Sequence, residues 1–492
     1  MKSPFSIFDW LMVVGFIVFC GVLGILARKR IASLDDFLVM GRRLGPVWGV
    51  ATLAATETGL VTIIYFSEEA YLAGFVALSA AVIAAATMWI VGRTGLVIKR
   101  LRAAQVRTVP EYLEGRFNLN IRWIAGLATF AIGVLNMGIF LQTEGIFLAV
   151  VMGISPAKLP LIMGVMLVVV LAYTMLGGMY SVVLTDVVQF VFIIIGVSLT
   201  TYFVFSTAGG WEKVLDAVAL HRGYAAFNLW HAPRYGALFL VWTALYYLSG
   251  WSSWQPVVAR VLSMRDVDTA LRLYRLSSFF MLLRAVFPMI WGIGALAVVG
   301  LVTPSSTALP QMLVRILPAG TIGLVTVGFL AASMSTYSSY FLAFSSILVQ
   351  DIVAPRLRRQ LSDHERIVLT QAGILVLGVL IYLWGSFYRF PESVFRYITV
   401  TGSLSYAATL TVLVGGLYWK RASIGGAYCA FAGSAIPPLV CLARPGISPT
   451  YAGLLSFALA PLGMLAGSAI FPRQGQNQAA SLTNRDERLS AP

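Results

Sequence analysis

Residues 329–351 read FLAASMSTYSSYFLAFSSILVQD, a run apolar enough to cross a membrane yet dense in hydroxyls. Ser333, Ser335, Thr336, Ser338, Ser339, Ser345 and Ser346 all lie in it. Ala332, Ser335 and Thr336 stand at i, i+3 and i+4, so on a helix they share one face. That face offers two hydroxyl oxygens and, where the helix is loosened, a backbone carbonyl. Oxygen donors of this kind suit a small hard cation such as Na⁺. The same composition also serves close packing of membrane helices, with each hydroxyl bonded back to its own i−4 carbonyl. The run by itself leaves both readings open.

Ionisable residues inside apolar runs are costly and therefore functional candidates. Glu57 lies in Ala54-Ala55-Thr56-Glu57-Thr58-Gly59, where three polar side chains and a glycine interrupt an apolar stretch. That is the pattern of a discontinuous helix, whose unwound carbonyls would face a cation and whose second half would point its N-terminus at an anionic group. Arg284 lies in SSFFMLLRAVFPMIWG. It could clamp a carboxylate bidentately, pair with Glu57, or snorkel to the interface. Asp186 follows Gly177-Gly178 and stands beside Thr185 and Gln189. It could guide a cation or cap the helix that the glycine turn begins. The aromatic group Tyr246, Tyr247, Trp251 and Trp254 could form an interfacial belt or stack on a solute, and Tyr247 and Trp251, one turn apart and deeper, are its better solute candidates. Trp254-Gln255-Pro256 marks a second helix break. Glu68 and Glu69 are expected in a water-facing vestibule, and Glu111 and Glu114 in solvated salt bridges.

These groups need elements to hold them. Of the 492 residues, 59% are hydrophobic and 11% charged, against about 25% charged in soluble domains. Thirteen apolar runs of spanning length are expected, at roughly 8–27, 46–74, 76–98, 121–152, 157–176, 180–206, 236–255, 276–302, 320–346, 367–386, 395–418, 424–443 and 450–471. The fold class is thus all-α integral membrane. The net charge of +15 does not signal nucleic acid. Its basic residues cluster in alternate loops, such as Arg28, Lys29, Arg30, Arg42 and Arg43 after the first run and Arg356, Arg358, Arg359 and Arg366 after the ninth. The positive-inside rule then puts the N-terminus outside and the C-terminus in the cytoplasm of a multi-pass protein of the cell membrane. The loop 207–235 is expected to form a short surface helix, and 473–492 a disordered tail. Cys20, Cys429 and Cys441 form no ligand motif, and no phosphate-binding loop is present, which argues against a zinc site and ATP-driven work. No nucleophile–base pair suggests an enzyme.

Several segments, in order, resemble the sodium:solute symporter family. They are Asp35-Asp36-Phe37-Leu38-Val39-Met40-Gly41-Arg42, Thr108-Val109-Pro110-Glu111-Tyr112-Leu113, the glycine pair through Thr185-Asp186 and Gln189, Gln255 with Arg260, the run Ala331–Ser339, Asp351, and Gly416-Leu417-Tyr418-Trp419-Lys420-Arg421. The resemblance implies the leucine-transporter-type fold, two inverted five-helix repeats with broken first helices. The repeats would occupy 46–206 and 236–418, after a first helix and loop at 1–45, and would be separated by the outer loop 207–235. Two accessory helices at 419–472 and the tail would follow. It also implies a sodium site made of the carbonyls of Ala54, Glu57 and Ala332 with the hydroxyls of Ser335 and Thr336, and a place for Asp186 on the inward sodium exit. Arg284 stands four residues before Pro288, where sugar-carrying members have lysine. Val61 and Tyr247 replace the glutamine and asparagine of those members.

The function expected is symport of Na⁺ with a small organic solute by alternating access across the lipid bilayer. Arginine with aromatics leans towards an anionic or zwitterionic solute, with Thr56, Glu57, Tyr247, Trp251 and Arg284 as its contacts. The alternatives are proton coupling through Glu57 or Asp186, and a transporter-like sensor acting with a separate signalling partner.

Overall fold

A computed structural model describes residues 5–27, 31–232, 235–357, 359–388, 393–444 and 446–472. Arg28, Lys29, Arg30, Arg358 and the expected tail at 473–492 lie outside the described residues. The described chain is helical, with no strand and a single isolated bridge between Leu44 and Met264. Its helices are α1 Ile7–Ala27, α2 Leu34–Val39, α3 Pro46–Glu57, α4 Leu60–Ala73, α5 Leu78–Thr94, α6 Ile98–Ala103, α7 Val109–Arg116, α8 Leu119–Met152, α9 Leu159–Thr207 and α10 Trp211–Arg222. The second half holds α11 Ala237–Ser253, α12 Gln255–Ser263, α13 Val267–Val299, α14 Ala308–Ile316, α15 Thr321–Ile347, α16 Asp363–Phe387, α17 Val394–Tyr418, α18 Ile424–Ala443 and α19 Pro449–Ile470.

Both expected helix breaks are present. The helix α3 ends at Glu57, Thr58 leaves helical geometry at ψ 47°, and α4 starts after Gly59. Gly59 has no room for a side chain, because a Cβ there would come within 2.4 Å of the Thr336 hydroxyl. The helix α11 ends before Trp254, whose ψ of 113° is extended, and α12 restarts with Pro256 in its first turn. Proline is suited to that place because its missing N–H would be unpaired there in any case.

Ten helical segments among the described residues are long and apolar enough to cross a membrane. The expected runs fall on these segments and on α11, and the difference from thirteen has local causes. A single 3₁₀ turn, Gly74–Ala77, joins α4 to α5. Runs 157–176 and 180–206 are the two arms of α9, which kinks at Gly178 (φ 47°, ψ −144°). The break at Trp254 leaves α11 only 17 residues long. The expected surface helix in 207–235 is α10, whose Arg222 donates to the carbonyl of Tyr71 at 2.8 Å.

The helix α15 runs through the middle of the bundle, with nearly every side chain buried. It lies against the second arm of α9 where Gly196 and Gly328 meet. A Cβ on Gly328 would fall 2.6 Å from the Phe192 carbonyl oxygen. Small residues that let backbones approach are the usual basis of packing between membrane helices, and here they bring the Asp186 face of α9 to the hydroxyl face of α15. Beyond α15 the chain turns through a π-helical segment, Leu348–Val353. There buried Asp351 accepts from Arg122 Nε at 2.8 Å and Thr108 Oγ1 at 2.9 Å. Glu114 pairs with Arg122, as expected for that loop, whereas Glu111 accepts from the Arg107 backbone N–H.

Candidate functional site

The hydroxyls of α15 reach four different helices. Ser335 Oγ donates to Asp186 Oδ1 on α9 at 2.6 Å. Thr336 Oγ1 donates to the carbonyl of Thr56 in the last turn of α3 at 2.7 Å. Ser339 meets the guanidinium of Arg260 on α12 and the Thr56 hydroxyl, the latter at 2.8 Å. Ser333 donates to Glu144 on α8. Ser338 and Ser345 instead bond back to the carbonyls of Ser335 and Phe341 on their own helix, as expected for packing hydroxyls. Ser339, by contrast, belongs to the polar cluster, because the break in α11–α12 delivers Arg260 to it.

Arg260 and Asp186 are both fully buried, 3.4 Å apart. Arg260 also donates to Thr56 Oγ1 at 2.7 Å and to the carbonyl of Pro256 at 2.9 Å. Asp186 accepts from Thr52 as well as Ser335. It lies eight residues past Gly178, inside a continuous helical arm, so it does not cap a helix N-terminus. A buried charge needs a partner in a low-dielectric bundle, and Arg260 supplies it.

The carbonyls expected for sodium lie on the facing segment. That of Ala54 accepts from Thr58 N at 3.0 Å and Thr58 Oγ1 at 2.6 Å. That of Glu57 accepts from Arg284 Nη1. Ala332 is buried one turn from Thr336. The last turn of α3 thus presents the Thr56 carbonyl to α15 and the Glu57 carbonyl to α13.

On the α13 side lies a cavity of about 80 Å³, lined by Glu57, Thr62, Tyr65, Asn136, Phe140, Tyr246, Tyr247, Trp251, Trp254, Arg284, Tyr340, Tyr406 and others. Tyr247 and Trp251 stack with centroids 6.0 Å apart and planes at 18°. Of the three possibilities for Arg284, the structure shows the pair with Glu57, at 3.5 Å between Nη1 and Oε2. Arg284 also lies over the Trp251 and Phe66 rings at 5.6 and 5.8 Å, a cation–π arrangement. Two buried polar atoms here lack a hydrogen-bond partner among the described residues: Glu57 Oε1 and Arg284 Nε. Thr56, expected at this cavity, is not among its lining residues and belongs to the Arg260 cluster.

Glu68 is buried away from water, and Glu69 is mostly buried. Glu68 accepts from Ser305 Oγ at 2.7 Å and Val394 N at 3.0 Å, and Glu69 from Tyr235 OH at 2.6 Å. They tie α4 to the loops above it, although Glu69 still lines a large cavity of about 1010 Å³ at that end. Sequence reasoning missed Glu144, a fully buried carboxylate. Its signal was present: it interrupts the apolar stretch Phe140-Leu141-Gln142-Thr143-Glu144-Gly145-Ile146-Phe147 much as Glu57 interrupts its own.

Two helix breaks at the bundle's centre, with a polar cluster on one side of the first break and an aromatic cavity on the other, define an all-α membrane transporter. Solved structures share this fold. A Na⁺-coupled sialic acid symporter in a substrate-bound outward-open state superposes with a TM-score of 0.82 at 19% identity, covering 96% of this chain and 99% of that one. The nucleobase-cation-symport-1 family transporter Mhp1, closed with bromovinylhydantoin bound, gives 0.57 at 13% identity, covering 91% and 98%. The sodium:solute symporter family matches residues 37–434, and the chain belongs to it. The sodium/glucose cotransporter of Vibrio parahaemolyticus is 27% identical over 80% of this chain and 77% of its own length. The high-affinity proline transporter PutP of Bacillus subtilis (strain 168) is 27% identical over 82% and 86%. The bovine sodium/mannose cotransporter SLC5A10 is 26% identical, and the match spans 66% of this chain and 60% of that longer protein. The chain is accordingly a multi-pass secondary active transporter with sodium as its coupling ion, not an enzyme.

Proposed function

We propose that this symporter carries a small zwitterionic solute into the cell, with Na⁺ held between the Ala54, Glu57 and Ala332 carbonyls and the Ser335 and Thr336 hydroxyls. The observation that carries this reading is the shared last turn of α3. Thr336 bonds the Thr56 carbonyl on one side and Arg284 bonds the Glu57 carbonyl on the other. An ion drawing the carbonyls of this turn reorders the groups that hold the solute. Coupling of this kind amounts typically to about 1–3 kcal/mol, and a membrane potential adds about 2.3 kcal/mol per charge per 100 mV.

The solute class follows from charge and from the unpaired atoms. The cavity holds one carboxylate and one guanidinium, with one acceptor and one donor unsatisfied. A solute with one ammonium and one carboxylate meets both and adds no net charge, whereas a simple anion or cation leaves a buried charge uncompensated. The ammonium goes to Glu57 Oε1 and the aromatic faces, the carboxylate to Arg284, and Tyr247 with Trp251 packs the apolar part. Asp186 lies on the inward path of the ion.

In the proposed topology the N-terminus is outside and the C-terminus cytoplasmic, in the cell membrane. The repeats occupy 46–206 and 236–418, joined by the outer loop 207–235. The segment 1–45 precedes them, and 419–472 adds two accessory helices. The test is uptake into proteoliposomes of labelled L-proline, glycine betaine, lactate and glucose, under an inward Na⁺ gradient and under an equal K⁺ gradient. Accumulation of a zwitterion with Na⁺ alone is expected. Sodium-driven accumulation of lactate or glucose, with neither zwitterion carried, would overturn the solute assignment. Solute binding without accumulation would favour a sensor.

A further inference from the structure

Glu144 lies outside both the ion and the solute sets and is fully buried. Its two carboxylate oxygens face two different helices. Oε1 accepts the backbone N–H of Val61 at 2.9 Å, in the first turn of the half-helix α4. Oε2 accepts from Ser333 on α15. The start of α4 needs such a partner: its first N–H groups have no intrahelical acceptor, and Gly59 has no side chain to cap them. Glu144 therefore caps α4 from a third helix, where a carboxylate is favoured by the helix dipole.

The positions at the two ends of this bridge matter. Thr62 and Tyr65 of α4 line the solute cavity. Ser333 directly follows Ala332 in the chain and lies in the same turn as Ser335 and Thr336. Among the described residues no cation pairs with Glu144. The two groups that hold it, the Val61 N–H and the Ser333 hydroxyl, are neutral. A carboxylate idle in this setting would be expensive, so its retention calls for a role beyond filling space.

We infer that Glu144 is a positioning residue for the sodium site, a bridge that holds the Ser333–Thr336 turn of α15 in register with the broken helix α3–α4. The inference rests on the sodium site proposed above. Removing the bridge frees the hydroxyl pair to drift from the α3 carbonyls, which weakens ion binding more than it weakens the fold.

The test is thermal unfolding of the purified full-length protein, titrated with NaCl at constant ionic strength made up with KCl, so that Na⁺ alone is the probe. For wild type, Na⁺ raises Tm over K⁺ with a measurable half-saturation. In Glu144→Leu the half-saturating Na⁺ concentration is expected to rise at least tenfold. In Glu144→Gln, whose amide oxygen still accepts from Val61 and whose NH₂ still reaches Ser333, it stays within about threefold, a rescue by conserved hydrogen bonding. Ser333→Ala leaves the Val61 end in place and is expected to shift it about threefold to fivefold, roughly one hydrogen bond. This variant decides the matter should Glu144→Leu fail to fold. A merely structural Glu144 predicts the reverse: lower Tm in K⁺ and Na⁺ alike with an unchanged half-saturation, and that result overturns the inference alone. A wild type with no Na⁺-specific response overturns the sodium-site reading and this inference with it.

Discussion

The two sides of the α3 break are built on opposite plans. On the α15 side the cluster's hydroxyls and both carboxylate oxygens of Asp186 are already matched within the protein, with Arg260 Nε the one guanidinium nitrogen left without a partner among the described residues. Ser335 is committed to Asp186, Thr336 to the Thr56 carbonyl, Ser339 to Arg260 and Thr56, and Asp186 to Arg260 and Thr52. On the α13 side the Glu57–Arg284 pair, at 3.5 Å, leaves a carboxylate oxygen, Glu57 Oε1, as well as Arg284 Nε unmatched within a ring of aromatic side chains. The difference teaches how a transporter can treat ion and solute differently. An ion entering the first side replaces existing hydrogen bonds, so its binding is an exchange that repositions helices. A solute entering the second side satisfies atoms that are unpaired, so its binding is an addition that requires complementary charge.

The sharpest way to break this comparison is to unbalance the matched side. Arg260→Met leaves Asp186 buried without its cation, and removing one partner of a buried pair costs about 3–5 kcal/mol. The expected outcome is a large loss of thermal stability, checked by unfolding in detergent. Arg260→Met combined with Asp186→Leu should recover most of it. Next in size is the double variant Ser335→Ala/Thr336→Ala. Each hydroxyl facing a cation is worth about 1.5–3 kcal/mol, so sodium half-saturation for uptake should rise roughly a hundredfold or more. Solute recognition at saturating Na⁺ should change far less, which the Na⁺ and solute dependences of uptake separate. The smallest effect falls on the other side. Trp251→Leu removes the stack with Tyr247 and the ring beneath Arg284, together about 1–2 kcal/mol. Solute half-saturation should rise about tenfold while that for Na⁺ stays near wild type. A variant of either side that moved both dependences equally would erase the distinction.

Much of this architecture is legible in the sequence. The breaks at 54–59 and before Pro256 were legible because glycine, proline and clustered polar residues cannot continue a buried helix without consequence. The Ala332/Ser335/Thr336 face was legible because helical periodicity assigns neighbours three and four residues apart. The burial of Glu68 was not: near the end of an apolar run, nothing local distinguishes a carboxylate facing water from one accepting from Ser305 and Val394. The meeting of Thr56 with Arg260 and Ser339 was not legible for a related reason. The spacing of Thr56 fixes its face relative to Glu57, but not which face meets α12.

By itself, then, the sequence determined the elements of this protein: apolar spans, their interruptions, and the hydroxyl face on α15. Those follow from local rules, since backbone hydrogen bonds in a membrane must close within each helix and only particular residues permit a break. Tertiary structure alone decided the partners. Glu144 meets Val61 and Ser333 across 83 and 189 residues, and Arg260 meets Asp186 across 74. Such pairings depend on which helices the close glycine contacts bring together, as Gly196 and Gly328 do for α9 and α15. Once apposed, each buried polar group takes the complementary group within its reach.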